Sequence, residues 1–325
     1  MLYPFSQLLD KVNAHIEALD YAREPMNLYN PVKYILSLGG KRIRPAMMLM
    51  AYNMYRDDVE QILDPALALE IYHNFTLLHD DLMDHADVRR GKPTVHKRWD
   101  ANTAILSGDV MLSLADVYMS RVEDAYFREV MATFHRTSIE IAEGQQYDMD
   151  FETRTDVAES EYIEMIRLKT SVLLACALKI GAVLGGASQE DAKHLYRLGE
   201  CIGLAFQLRD DYLDVYGDPK VFGKKIGGDI LCNKKTYLYI NALRLANKEQ
   251  REVLDYWATA ADFNPEEKIA TVTAIYTSLG LPEMSRAIED HYYGLAKAEL
   301  EALSVPAEQK EVLRQFMVML MERDV

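Results

Sequence analysis

Phe75-Thr76-Leu77-Leu78-His79-Asp80-Asp81-Leu82-Met83-Asp84 is an apolar run that ends in three carboxylates. Apolar residues at three- and four-residue spacing over 65–84 predict a helix. On a helix, Asp80 and Asp84 lie on one face, about 40° apart and one turn along the axis. Two like charges so placed destabilise a helix by roughly 0.2–0.5 kcal/mol, so the arrangement asks for a reason. Leu204-Ala205-Phe206-Gln207-Leu208-Arg209-Asp210-Asp211-Tyr212-Leu213-Asp214 repeats the pattern. One Asp-Asp-x-x-Asp is weak evidence in an acidic chain, but two matches arise from composition with a chance on the order of one in a hundred.

Outward from these motifs the periodicity stays helical. Segments 42–55, 65–84, 102–120, 125–146, 161–184 and 190–216 all carry it, and no run alternates in the manner of strands. Gly185-Gly186 reads as a helix stop and Ser188-Gln189-Glu190-Asp191 as a start. Asn264-Pro265-Glu266-Glu267 sets a cap, a first-turn proline and first-turn acids in order, and Gly280 with Pro282 marks another junction. Without a Ser/Gly-rich linker or a solenoid repeat, the expectation is all-α: a single domain, 1–325, of roughly a dozen packed helices.

The 325 residues are 49% hydrophobic and 27% charged, ordinary for a globular chain. A net charge of −15 argues against nucleic acid as a partner. Cys176, Cys201 and Cys232 form neither a disulfide framework nor a zinc pattern, which suggests a reducing compartment. No signal peptide is evident, and the longest apolar stretch, 171–186, contains Lys179 and reads as too short for a bilayer span. A cytoplasmic location is therefore expected. Magnesium takes one or two carboxylates plus substrate phosphate oxygens and waters. Two acidic clusters with too few ligands for a closed cage suit metals that a diphosphate completes.

Basic residues beside glycines supply the complement. Gly39-Gly40-Lys41-Arg42-Ile43-Arg44-Pro45, Arg89-Arg90-Gly91-Lys92-Pro93, and Phe222-Gly223-Lys224-Lys225-Ile226-Gly227-Gly228-Asp229-Ile230 with Lys234 look like diphosphate sites. Lys92 and Lys225, each taken alone, read instead as solvated surface charges, and His79 as a structural hydrogen-bonder.

The order and spacing of these elements resemble the trans-isoprenyl diphosphate synthases of the polyprenyl synthetase family, especially its geranylgeranyl and farnesyl members. The matching residues are Gly-Gly-Lys-x-x-Arg-Pro at 39–45, Asp-Asp-x-x-Asp at 80–84, Arg-Arg-Gly at 89–91, Gly-Gln-x-x-Asp at 144–148, Lys-Thr at 169–170, Gln207 with Asp-Asp-x-x-Asp at 210–214, and Phe-Gly-Lys at 222–224. The resemblance covers about 30–240; the last 80 or so residues match in helical character alone.

It implies the isoprenoid-synthase fold, helices around a central apolar cavity, and a homodimer. Asp80, Asp81, Asp84, Asp210, Asp211 and Asp214 become candidate ligands for about three magnesium ions against an allylic diphosphate. Arg89, Lys169 and Lys224 are expected on that diphosphate, and Gly40, Lys41, Arg44, His73 and Arg90 at a metal-free site for isopentenyl diphosphate. Thr170 and Gln207 are expected to line the region where the allylic cation forms, with Lys234 nearby and Gln145 and Asp148 behind the direct metal ligands.

Phe75, about 7.5 Å upstream of Asp80 along the axis, reads as core from the residues alone. By resemblance it limits chain length, with the smaller Thr76 beside it, and a twenty-carbon product is expected, with fifteen carbons or a longer chain as alternatives. Departures from the family pattern are Trp99-Asp100, Gly228 in place of a frequent threonine, and a C-terminus without a basic tail. A class I terpene cyclase fits less well because it has no use for Lys41, Arg44 and Arg90. A metal-dependent phosphohydrolase built on His79-Asp80 leaves the second motif unexplained. An inactive regulatory subunit tends to lose one acidic motif, and both are present.

Overall fold

The computed structural model describes residues 2–218 and 226–322. Among them the chain is all-α, apart from one two-stranded hairpin, Val88–Arg89 against Lys92–Pro93. The predicted helices appear as Ile43–Asn53, Leu63–Met83, Ala101–Met119, Asp124–Thr153 and Gln189–Tyr216, with Glu159–Ile166 and Val172–Gly185 joined by a π-helical turn at Arg167–Ser171. Neither the hairpin nor the π turn was legible in the periodicity.

The helix ends follow from local chemistry. Asn264 accepts from the amides of Glu266 and Glu267. The Ser188 hydroxyl accepts from the amide of Asp191, and Gly186 leaves the preceding helix at φ 81°. Asp100, one of the departures noted above, is a working cap: its carboxylate accepts from the Thr103 amide at 2.9 Å and the Thr103 hydroxyl at 2.7 Å.

Contacts divide the chain into two compact units. The first comprises Met1–His135, Cys176–Leu195 and Ser304–Leu313. Its centre is the Leu63–Met83 helix, in which Pro65 through Tyr72 are all buried. Each fully buried Leu or Ile stabilises by about 1.5–3 kcal/mol, which outweighs the few tenths that the Asp80–Asp84 repulsion costs. The Ile43–Asn53 helix is buried from Pro45 onward. The Val172–Gly185 helix approaches it so closely that a Cβ on Gly181 would lie 2.2 Å from the Met48 carbonyl.

The second unit comprises Arg136–Ala175, Tyr196–Leu303 and Arg314–Val325. One apolar cluster packs Phe151, Tyr162, Ile166, Leu204, Leu208 and Tyr237; another packs Leu238, Trp257, Val272, Tyr276 and Leu281. The apolar stretch around Val172–Gly185 belongs to a continuous 27-residue helix, Glu159–Gly185, so length does not bar it from a bilayer as the sequence suggested. Its most apolar window is instead 83% buried within the chain, as in a core helix. Of the cysteines, Cys176 is buried, Cys201 half-buried and Cys232 exposed.

Candidate active site

In the first unit the Leu63–Met83 helix delivers the first acidic motif at its C-terminal end, with Asp84 as the capping residue. Asp80 is half-buried and Asp84 exposed, whereas Asp81 is only 3% exposed. Both Asp81 oxygens are engaged by Arg89: Nε lies 3.0 and 3.1 Å from them, and Nη2 lies 2.6 Å from Oδ1. Burial weakens the Arg89 charge, but the Asp81 bond and the charges of Asp81, Asp80 and Asp84 more than offset that, and its pKa is raised.

Arg89 sits on the hairpin, whose two loop residues, Arg90 and Gly91, have φ of 53° and 74°. This primed turn suits a tight hairpin and is rare for a bulky side chain, so Arg90 is held in place by the turn itself. Its guanidinium lies against Gly40: a Cβ there would fall 2.8 Å from Arg90 Nη2. Gly40, with φ 143°, therefore serves both backbone freedom and close approach. The hairpin is tied down by Tyr34, which donates to the Pro93 carbonyl at 2.7 Å, and by Thr94, which donates to the Ala86 carbonyl at 2.7 Å. Tyr34 also stacks edge-on against Trp99, the other half of the departure at 99–100.

Around Gly40 the cations accumulate. Arg42 is buried, bonded to Glu70 at 2.5 Å and to the Leu36 carbonyl at 2.8 Å. Burial pushes Arg44 down to about 10, and its Nε is buried without a hydrogen-bond partner among the described residues. His73 is held well below the usual histidine range, first by burial and then by Arg44, Arg90, Arg89 and Arg42. Glu70, 2% exposed and also bonded by Asn74 at 2.8 Å, is the buried counter-charge. The result is a neutral imidazole among four guanidinium groups, an arrangement suited to a polyanion. Lys41 is exposed beside it.

His79 is structural, as the sequence suggested: its Nε2 lies 3.2 Å from the Ile105 carbonyl, and a Cβ on Gly108 would collide with the ring. Phe75 belongs to an aromatic ladder, 5.5 Å from Tyr72 and 4.8 Å from His79, with Phe134 5.3 Å behind Tyr72. Thr76 turns its hydroxyl onto the His73 carbonyl at 2.8 Å.

The second unit holds the other motif and the residues predicted around the cation. Lys169 Nζ donates to Asp148 at 2.6 Å, and the Thr170 hydroxyl donates to Gln207 Oε1 at 3.2 Å. Both lie on the π-helical turn, a feature that often marks functional positions. Close helix approach holds the turn in place. A Cβ on Gly144 would lie 2.4 Å from the Lys169 amide nitrogen, and one on Gly203 would lie 2.6 Å from Ser171 Cα. Gln145, next to Gly144, is half-buried.

Asp210 and Asp214 are half-buried, and Asp211 is turned inward. Gln207 Nε2 donates to Asp211 at 2.9 Å and the Tyr162 hydroxyl donates to its other oxygen. Burial and the charge of Asp229 push the Asp211 carboxyl up to about 7, against the pull of Tyr162, Gln207 and Lys234. Asp214 accepts from the Asp229 amide at 2.9 Å, and a Cβ on Gly228 would approach its Oδ1 to 3.2 Å. Lys224 and its Phe-Gly-Lys neighbours lie outside the described residues.

The middle carboxylate of each motif thus faces protein donors, while Asp80, Asp84, Asp210 and Asp214 retain exposure. No group of three or more His, Cys, Asp or Glu side chains converges as a metal cage among the described residues. An all-oxygen donor set of partly exposed carboxylates fits magnesium, which takes few protein ligands and completes its shell from water and phosphate. The sequence reading assigned no role to Tyr162, Asp229, Glu70 or Arg42; Arg42 and Asp229 stood within quoted motifs, but nothing local signalled their partners.

The polyprenyl synthetase family model matches residues 25–276. Among relatives, a geranylgeranyl diphosphate synthase of Methanosarcina mazei is 46% identical over 233 residues, covering 71% of this chain and 72% of its own. A geranylfarnesyl diphosphate synthase of Natronomonas pharaonis is 40% identical over 238 residues, covering 68% of this chain and 70% of its own. The chain belongs to the polyprenyl synthetase family and is a trans-prenyltransferase. Among solved structures, a geranylgeranyl pyrophosphate synthase superposes with a TM-score of 0.91 at 43% identity, covering 98% of both chains. A polyprenyl synthase from Caulobacter crescentus, complexed with calcium and isoprenyl diphosphate, superposes with a TM-score of 0.87 at 27% identity over 98% of this chain and 96% of its own. Use of a divalent metal is consistent with this membership.

Proposed function

We propose that this protein condenses isopentenyl diphosphate with an allylic diphosphate to give a twenty-carbon product. The observation that carries the reading is the division of labour on one hairpin. Arg89 faces the acidic motif, while its neighbour Arg90 lies in the arginine cluster against Gly40. One diphosphate would be held by carboxylate-bound metal with Arg89, and the other, without metal, by the basic cluster around Gly40.

Asp80 and Asp84 in the first unit, and Asp210 and Asp214 in the second, would hold magnesium, about three ions in all, while Asp81 and Asp211 would keep their motifs in shape through their protein donors. Bound magnesium neutralises charge on the allylic diphosphate and makes it a better leaving group. Arg89, Lys169 and Lys224 bind that diphosphate, and Thr170 and Gln207 line the region of the developing cation, with Lys234 nearby and Gln145 and Asp148 behind. Gly40, Lys41, Arg44, His73 and Arg90 receive isopentenyl diphosphate. The allylic carbon–oxygen bond breaks first, the double bond of isopentenyl diphosphate then attacks the allylic cation, and the released diphosphate takes the proton lost from the adduct. The whole chain, 1–325, is one domain in this reading, supported by a family match that draws on both compact units; the cation must be kept from water, which would otherwise trap it.

Twenty carbons is favoured by the Tyr72-backed Phe75 and by the geranylgeranyl-producing relatives, with fifteen or more than twenty as alternatives. A homodimer in the cytoplasm is part of the reading. Incubation with isopentenyl diphosphate, magnesium and, separately, dimethylallyl, geranyl or farnesyl diphosphate tests it. A twenty-carbon alcohol after dephosphorylation is expected, and EDTA should abolish its formation. Folded protein that extends none of the three primers would end the reading.

A further inference from the structure

Lys268 lies in the second unit on the Pro265–Ser278 helix and is 1% exposed, although lysine is rarely buried to that degree. Its ammonium is spent on one turn: Nζ donates to Asn233 Oδ1 at 2.8 Å and to the Leu231 carbonyl at 3.3 Å. It also lies 4.5 Å from the centre of the Phe263 ring, a favourable place for a cation.

The turn it grips closes the short Gly228–Leu231 helix. The Asn233 amide bonds to the Ile230 carbonyl at 3.2 Å and the Lys234 amide to the Asp229 carbonyl at 2.9 Å, with Asn233 at φ 54°. This is a Schellman ending with asparagine at the left-handed position, so placing Asn233 also places Lys234. The other end of the same segment is held by the second acidic motif. Asp214 accepts from the Asp229 amide through its carboxylate and from the Gly227 amide through its carbonyl. Asp229 and Lys234, both within the segment, act electrostatically on Asp211.

We propose that Lys268 is a positioning residue: from outside the site it clamps the Leu231–Asn233 turn, fixing Asp229 and Lys234 against the second acidic motif. The inference rests on the proposed role of Lys234 in condensation, and it deepens that role.

A double-mutant cycle with an amide-exchange control tests it. Lys268→Met should lower kcat by about 10- to 100-fold, the scale of an ångström-sized misplacement, with the KM for isopentenyl diphosphate little changed. In a Lys234→Met background the same substitution should cost far less, because most of its effect passes through Lys234 and only the part carried by Asp229 remains. Asn233→Gly keeps the left-handed backbone and removes the acceptor, so it makes the same test in a chain that retains Lys268. In both single variants, amide exchange over 227–236 should quicken, most of all at Lys234, while the 43–53 helix stays protected. This exchange arm reads the clamp whether or not the protein condenses isopentenyl diphosphate; a wild type inert toward every primer counts against the functional reading alone. Unchanged exchange in both variants, or kcat losses that simply multiply across the cycle, would overturn the proposal.

Discussion

Arg89 holds both oxygens of Asp81 through Nε and Nη2, at 2.6 to 3.1 Å, and so removes the middle carboxylate of the first motif from the exposed set. The motif therefore splits by role, although its three aspartates look equivalent in the sequence.

Asp80→Asn and Asp84→Asn should each lower kcat by about 100-fold or more and raise the magnesium concentration needed for half activity. Asp81→Asn should act chiefly on stability. Breaking a buried, hydrogen-bonded ion pair costs up to about 3–5 kcal/mol, and the part-exposed Arg89 places this one toward the lower end. Urea unfolding of the three variants, beside magnesium titrations of activity, separates the two roles.

Gly40→Ala should raise the KM for isopentenyl diphosphate. The added methyl meets the Arg90 guanidinium at 2.8 Å in a backbone conformation that disfavours any side chain. Displacing one arginine from a diphosphate removes a charge-assisted interaction of about 1.5–3 kcal/mol, which is roughly 10- to 150-fold in affinity. The KM for the allylic primer should move far less, and steady-state kinetics with each substrate varied in turn checks the contrast.

His73 makes stability fall on the acid side of neutrality. The folded protein keeps this imidazole neutral, through burial and through Arg44, Arg90, Arg89 and Arg42. The unfolded chain takes up a proton near the ordinary value of 6.5, so below that pH the unfolded state binds more protons. Its contribution is thus fully present above 6.5 and is lost, at up to about 1.4 kcal/mol per pH unit, as the pH drops. Urea unfolding between pH 5 and 7.5 should show a shallower dependence for His73→Gln. Inorganic diphosphate should favour the charged imidazole and weaken the dependence in the wild type.

Phe75→Ala should lengthen the product. Phe75 is wedged between Tyr72 and His79, with Phe134 behind, so removing its ring leaves Tyr72 as the next barrier. A shift from twenty carbons to the next one or two homologues is expected, and Phe75→Ala with Tyr72→Ala should extend it further. Chromatography of the dephosphorylated products decides; an unchanged length in both variants places the floor elsewhere.

Gly144→Ala should impair both folding and catalysis, because its methyl would run into the Lys169 backbone at 2.4 Å. Overpacking of this kind costs about 1–3 kcal/mol, and any relief must shift the π-helical turn that carries Lys169 and Thr170. A lower melting temperature together with a fall in kcat is expected; a fall in stability alone would separate the turn from the chemistry.

The sequence by itself determined the helical class, the approximate extent of six long helices and the two acidic motifs, because period, caps and local charge are properties of neighbouring residues. Asn264, Ser188 and Gly186 cap or end their helices as their chemistry dictates. What each motif residue does was decided by partners far along the chain. Glu70 meets Arg42 from 28 residues away and Tyr162 meets Asp211 from 49, while Lys268 reaches back 35 residues to Asn233. A π-helical turn likewise has no sequence period; it lies where Gly144 and Gly203 let two other helices approach it closely. Which carboxylate turns to solvent and which to a buried donor depends on desolvation and on the donor's position, and both arise only when distant segments pack.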